Sequence, residues 1–174
     1  MSLPQKSKKS SSAYIPYIFT NEEIKRFFYA CDHIPYYPGT HKHIILPVFF
    51  RLLYGCGLRT SEAINLKCRD VDLANGVIIV RNGKFNKDRL APMSSSLINV
   101  MSGYNKLFNQ SSKDNDFFFR SKTLRPLSRH YIYHRFRDIL VESGISHGGK
   151  GKGPRVHDLS YPNLNKIQTF SIKS

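Results

Sequence analysis

Gly57-Leu58-Arg59-Thr60-Ser61-Glu62 sets an arginine and a glutamate three residues apart, and an Asn82-Gly83-Lys84 turn with Lys87 and Arg89 follows. A guanidinium suits phosphate, because its planar fork offers two parallel N–H donors to two oxygens at once. Breaking a phosphodiester builds negative charge on a pentacoordinate phosphorus and on the leaving oxygen, and fixed cations must meet that charge. Arg59, anchored where a helix begins, has the right chemistry for that task.

Other spacings carry less. Gly144 to Gly151 reads Gly-x-x-x-x-Gly-Lys-Gly, close to a nucleotide-binding loop, but it follows a helix rather than a strand and Gly151 replaces the metal-binding Ser or Thr. A flexible loop is the expectation there, with a phosphate contact as the alternative. His130 and His134 lie four apart on one helix face without an evident third ligand, so no metal site is expected. The three cysteines, Cys31, Cys56 and Cys68, fit neither a disulfide framework nor a zinc pattern and are read as free thiols in a reducing cytosol.

The elements that must position these residues are legible from periodicity. Thr20-Asn21-Glu22-Glu23 forms a capping box, after which Ile24, Phe27, Phe28 and Cys31 recur at helical spacing. His41 to Tyr54 reads as a buried helix, with Pro47 near its first turn or kinking it and Gly55 and Gly57 ending it. Thr60 to Leu66 is a short helix, and residues 77 to 92 are a β-hairpin with Lys84, Lys87 and Arg89 on or near its loop. Leu97, Val100, Met101, Tyr104 and Phe108 mark a further amphipathic helix. Ser128 caps a last one, with Ile132, Phe136, Ile139, Leu140 and Ser143 on its apolar face and Arg129, His130, Arg135 and Arg137 on the other.

Composition bounds the rest. The 174 residues suffice for one domain, and 27 Lys plus Arg against 12 Asp plus Glu give a net charge of +15. That excess points to a polyanionic partner, nucleic acid above all. The longest apolar stretch, Ile44 to Leu53, contains Pro47 and Arg51 and falls well short of the roughly 20 residues a membrane span needs. No membrane partner is expected, and a cytoplasmic, nucleoid-associated location is.

The stretch from Tyr54 through Leu66, continuing by Asp70-Val71-Asp72 to Gly83-Lys84 and Asp88-Arg89, resembles the first conserved box of the tyrosine recombinases, the phage integrase family. That box has a buried helix, then Gly-Leu-Arg-x-Ser-Glu, an acidic turn and a lysine-bearing hairpin. The resemblance implies that Arg59 is the first catalytic arginine and that Glu62 steadies it. It implies that Lys84 protonates the departing 5′ oxygen, with Lys87 as the fallback. The second box of the family runs roughly His-x-Leu-Arg-His, and His157-Asp158-Leu159 is similar to its opening, which makes His157 the histidine that handles the nucleophile's proton. Ser160 and Tyr161 stand where arginine and histidine are expected. No nucleophilic tyrosine is assigned, and the chemistry implied needs no metal or cofactor.

The expected fold is α+β and mostly helical, with a small antiparallel β-hairpin sheet, like the recombinase catalytic domain (the DNA breaking-rejoining enzyme fold) but without its last helices. Residues 1–13 are expected to be a disordered arm, 14–159 a partial catalytic domain and 160–174 an aberrant tail produced by truncation or a frame change. The implied function is site-specific recombination, integration, excision or transposition of a mobile element on double-stranded DNA, by a chain that cannot itself cleave. Arg89, Arg129, Arg135, Arg137 and Lys87 are candidate DNA contacts. Self-association, or pairing with a full-length recombinase, is the further expectation on partners. The alternatives are a non-catalytic DNA-binding module and a basic RNA-binding protein.

Overall fold

A computed structural model describes residues 15–81, 87–149 and 153–160 of the chain. Helix α1 (Asn21–Asp32) starts where the sequence places it. Thr20 Oγ1 accepts the Glu23 N–H at 3.2 Å, and the Glu23 carboxylate accepts the Thr20 N–H at 2.8 Å. The two halves of the box satisfy two backbone donors that a helix start otherwise leaves open. Its buried face is Ile24, Phe27, Phe28 and Cys31.

Helix α2 (Lys42–Cys56) is the central element and is buried along most of its length, as its apolar sequence demands. Pro47 lies inside it, with no N–H for the preceding turn. Arg51, the one charge in the apolar run, forks onto Asp32 of α1 at 2.8 and 2.7 Å, so it ties two helices together instead of interrupting the core. Gly57 ends α2 in the left-handed region, φ 62°. Gly55 does not end it: that residue lies within the helix, and a Cβ there would stand 3.1 Å from Leu97 of the next long helix. Its smallness serves a close helix crossing.

Helix α3 (Thr60–Ile64) follows at once, shorter than the run to Leu66 that the sequence suggests, because Leu66 turns away to pair its carbonyl with the Phe118 N–H at 2.8 Å. A 3-10 turn, Cys68–Asp70, leads into an antiparallel sheet of β1 (Val71–Asp72), β2 (Val77–Val80) and β3 (Arg89–Pro92), in that order. Ile78 sits between Val71 and Ala91, and Val80 opposes Arg89 at the end of the β2–β3 ladder. Helices α4 (Ser95–Phe108) and α5 (Arg129–Glu142) are capped by Ser94 and Ser128, whose hydroxyls accept the N–H of Leu97 and Tyr131.

The core is built of aromatic rings. Phe27 of α1, Phe50 of α2 and Phe136 of α5 meet at centroid distances of 5.5 to 6.0 Å, and Phe49 reaches Phe119, which touches Tyr104 of α4. Each such ring buries a large apolar area, and tilted or edge-on pairs add about 0.5–1.5 kcal/mol beyond that burial. The architecture is the mostly helical α+β domain with a small antiparallel sheet that the sequence implies. Cys31, Cys56 and Cys68 are all free.

Candidate active site

Arg59 stands as the residue that opens α3, and its position follows from the two residues before it. Gly57 turns the chain at the end of α2, and Leu58, fully buried, pins the turn to the core. Arg59 is then left exposed with an extended backbone. Glu62 reaches back three residues and accepts the Arg59 N–H at 2.7 Å. This is the carboxylate half of a capping box, and it fixes Glu62 beside Arg59 whatever else is bound.

The Glu62 side chain is only 9% exposed and has two further cations near it. Arg89 donates from Nη2 to Oε2 at 3.0 Å, and the Arg59 guanidinium lies 3.7 Å from Oε1. A carboxylate so withdrawn from water is costly to bury unless cationic partners of this kind stand beside it. Arg59 and Arg89 themselves stay nearly half exposed, so both guanidinia keep donors available on the open side. Cys56, next to Gly57, is no rival nucleophile. Burial pushes its thiol up to about 12, although the nearby Arg89 charge acts to lower it.

The second piece of the site arrives from the far end of the chain. Residues Val156–Ser160 form a 3-10 turn that docks on α2 with Val156 and Leu159 buried. Asp158, 2% exposed, accepts the Arg155 N–H at 2.8 Å and locks the turn. Ser160 Oγ donates to the Leu58 carbonyl at 2.6 Å, joining the residue before Arg59 to the residue that stands at the expected position of a second arginine. His157 is exposed on this turn. Arg59, Glu62, Arg89 and the His157 turn are thereby gathered around the junction of α2 and α3.

The hairpin base has its own ionic lattice. Arg81 at the end of β2 donates from Nε to the buried Asp70 at 2.6 Å and lies 3.7 Å from Asp88. Lys87 is exposed where the chain enters β3. Lys84 falls outside the described residues, as do Tyr161 and the Lys150-Gly151 part of the glycine-rich stretch. On α5, Arg129 is exposed and Arg137 lies 5.8 Å from the Tyr133 ring, whereas Arg135 is paired with Asp138 at 3.1 Å and faces a groove shared with Tyr29 and His33. His130 and His134 rest against each other at 4.1 Å. Among the described residues, no three His, Cys, Asp or Glu side chains gather as metal ligands.

Asp70 and Asp158 stand in the two motifs with no contact assigned to either, Arg81 carried no signal, and Arg89 read as a DNA contact with no sign of its link to Glu62. Asp158 was findable, since an acid three residues after Arg155 fits a side chain closing a turn onto backbone. The Arg89 to Glu62 contact spans a hairpin whose register no local pattern reveals.

The sequence pattern of the Phage integrase family matches residues 18–159. Tyrosine recombinase XerA of Pyrococcus horikoshii is 38% identical over 151 residues, covering 75% of this chain and 50% of that protein. XerA of Thermococcus kodakarensis is 43% identical over 90 residues, covering 52% of this chain and 29% of that protein. Among solved structures, the crystal structure of XerA recombinase superposes with a TM-score of 0.68 at 27% identity, covering 89% of this chain and 50% of that one. The XerH site-specific recombinase bound to its difH substrate in a pre-cleavage complex gives the same score at 23% identity, over 84% of this chain and 41% of that one, a likeness of fold. This chain spans about half or less of the length of the curated relatives it matches. On the matched pattern, the shared fold and the arginine-bearing junction together, the chain belongs to the phage integrase family of tyrosine recombinases.

Proposed function

We propose that this chain binds duplex DNA and grips a backbone phosphate with Arg59, as part of a site-specific recombinase of a mobile element. In the reaction, a tyrosine oxygen attacks the phosphorus, a P–O(Tyr) bond forms, and the bond to the 5′ oxygen breaks. Lys84 gives that oxygen its proton, and His157 handles the proton of the nucleophile. Arg59 holds the non-bridging oxygens and meets the charge that develops on them. The observation that carries the reading is the 2.6 Å bond from Ser160 to the Leu58 carbonyl, because it places the His157 turn against the residue adjoining Arg59.

Ser160 offers a hydroxyl, already given to Leu58, at the position where a second guanidinium is expected. This favours a second reading: the chain occupies DNA without cutting it, alone or beside another recombinase that supplies a second arginine. A nicked suicide duplex carrying the element's own recombination site separates the two. The expected result is retained affinity and no covalent protein–DNA adduct; an adduct formed by this chain alone would establish cleavage. We propose also that copies of the chain self-associate, since Tyr29 and Val141 are large apolar side chains left exposed. Sedimentation velocity across a concentration series checks this, and a monomer throughout the range would refute it.

A further inference from the structure

We propose that Arg89 is a positioning residue of this site, acting through Glu62 to hold the Arg59 guanidinium in its pose. The inference rests on the reading that Arg59 binds a DNA phosphate. Glu62 Oε2 accepts both the Arg59 N–H at 2.7 Å and Arg89 Nη2 at 3.0 Å, which fixes the rotation of the carboxylate. Its other oxygen is then turned to the Arg59 guanidinium, 3.7 Å away. Arg89 therefore sets where Oε1 points, and Oε1 sets where Arg59 stands.

The placement of Arg89 is imposed by the sheet. It opposes Val80 at the mouth of the hairpin, while its neighbour Asp88 faces Arg81. The strand that leaves the lysine-bearing loop is thus fastened to α3, and Glu62 is the fastening point. Because the Glu62 side chain is 9% exposed, the coupling it carries is shielded from salt far better than that of two surface charges. Two guanidinia held around one carboxylate also avoid the repulsion they would feel alone, so the removal of either one disturbs the other.

Fluorescence anisotropy with a labelled duplex at fixed ionic strength tests this by a double-mutant cycle. Arg59→Ala and Arg89→Ala should each weaken binding about 10-fold, the scale of one charge-assisted contact. Together they should weaken it little beyond 10-fold, since Arg89 acts through Arg59. In a Glu62→Gln background the coupling should vanish, and Arg89→Lys should restore most of the loss while Arg89→Gln does not. Thermal midpoints confirm that each variant is folded, and the Lys and Gln pair carries the comparison if Arg89→Ala is not. Independent effects that multiply to about 100-fold would overturn the proposal and leave Arg89 as a separate phosphate contact. If Arg59→Ala alone leaves affinity unchanged, the phosphate reading of Arg59 is what has failed, and this inference falls with it.

Discussion

Glu62 is the residue on which the site turns, and its worth is measurable apart from DNA. It supplies a helix-start acceptor and the partner of two guanidinia, all from a side chain almost withdrawn from water. Glu62→Ala should cost about 1–2 kcal/mol of stability, chiefly the lost cap, and Glu62→Gln well under half of that, because the amide oxygen can still take the Arg59 N–H. Urea midpoints check the order. Residue-scale chemistry was the most legible level of this sequence. The Gly57-Leu58-Arg59 run carries its own turn, helix start and exposed cation, so the placement of Arg59 could be read locally, while its role is what the resemblance to the family's first box implies. What spacing could not give was the second set of partners, Arg89 on Glu62 and Ser160 on Leu58, because contacts of that range depend on packing between elements.

At the scale of elements, two fastenings hold the site's frame. The first is the start of α1, where Tyr17 donates to Glu23 at 2.6 Å. Burial, and then this bond to a carboxylate, push the Tyr17 hydroxyl up to about 12. Burial acts to raise Glu23 as well, but hydrogen bonds from Tyr17 and Thr20 outweigh it and hold the carboxyl below its ordinary 4.5. A depressed folded value means that this stabilisation is present above pH 4.5 and is lost as the pH falls through the folded value. Denaturant midpoints taken from pH 6 down to pH 3 should therefore fall less steeply in Glu23→Gln than in the unaltered chain. The second fastening is Arg81 on Asp70. Arg81→Ala leaves a buried carboxylate without its closest cation and should cost more stability than Asp70→Asn, which leaves a half-exposed guanidinium that water can solvate. Reversal of that order, by urea denaturation, would show that Asp70 is satisfied without Arg81. Capping and hydrophobic spacing announced α1, α4 and α5 in the sequence, but Gly55 read as a stop and is instead a contact, since nothing local reveals the approach of Leu97.

On the scale of the whole molecule, the net charge of +15 favours any polyanion, so affinity alone says little about the site. Duplex binding should weaken steeply with salt in every variant, and loss of one phosphate-binding arginine should lower the slope of log affinity against log salt by about one. The central claim is narrower: Arg59 contacts one particular phosphate. The measurement that tests it is a scan of the recombination-site duplex in which each phosphate in turn is replaced by an uncharged methylphosphonate. One position per half-site should cost the unaltered chain about 10-fold in affinity and cost Arg59→Ala nothing, because the partner of that phosphate is already gone. Equal losses for both proteins at every position would contradict the account and return Arg59 to the general basic surface.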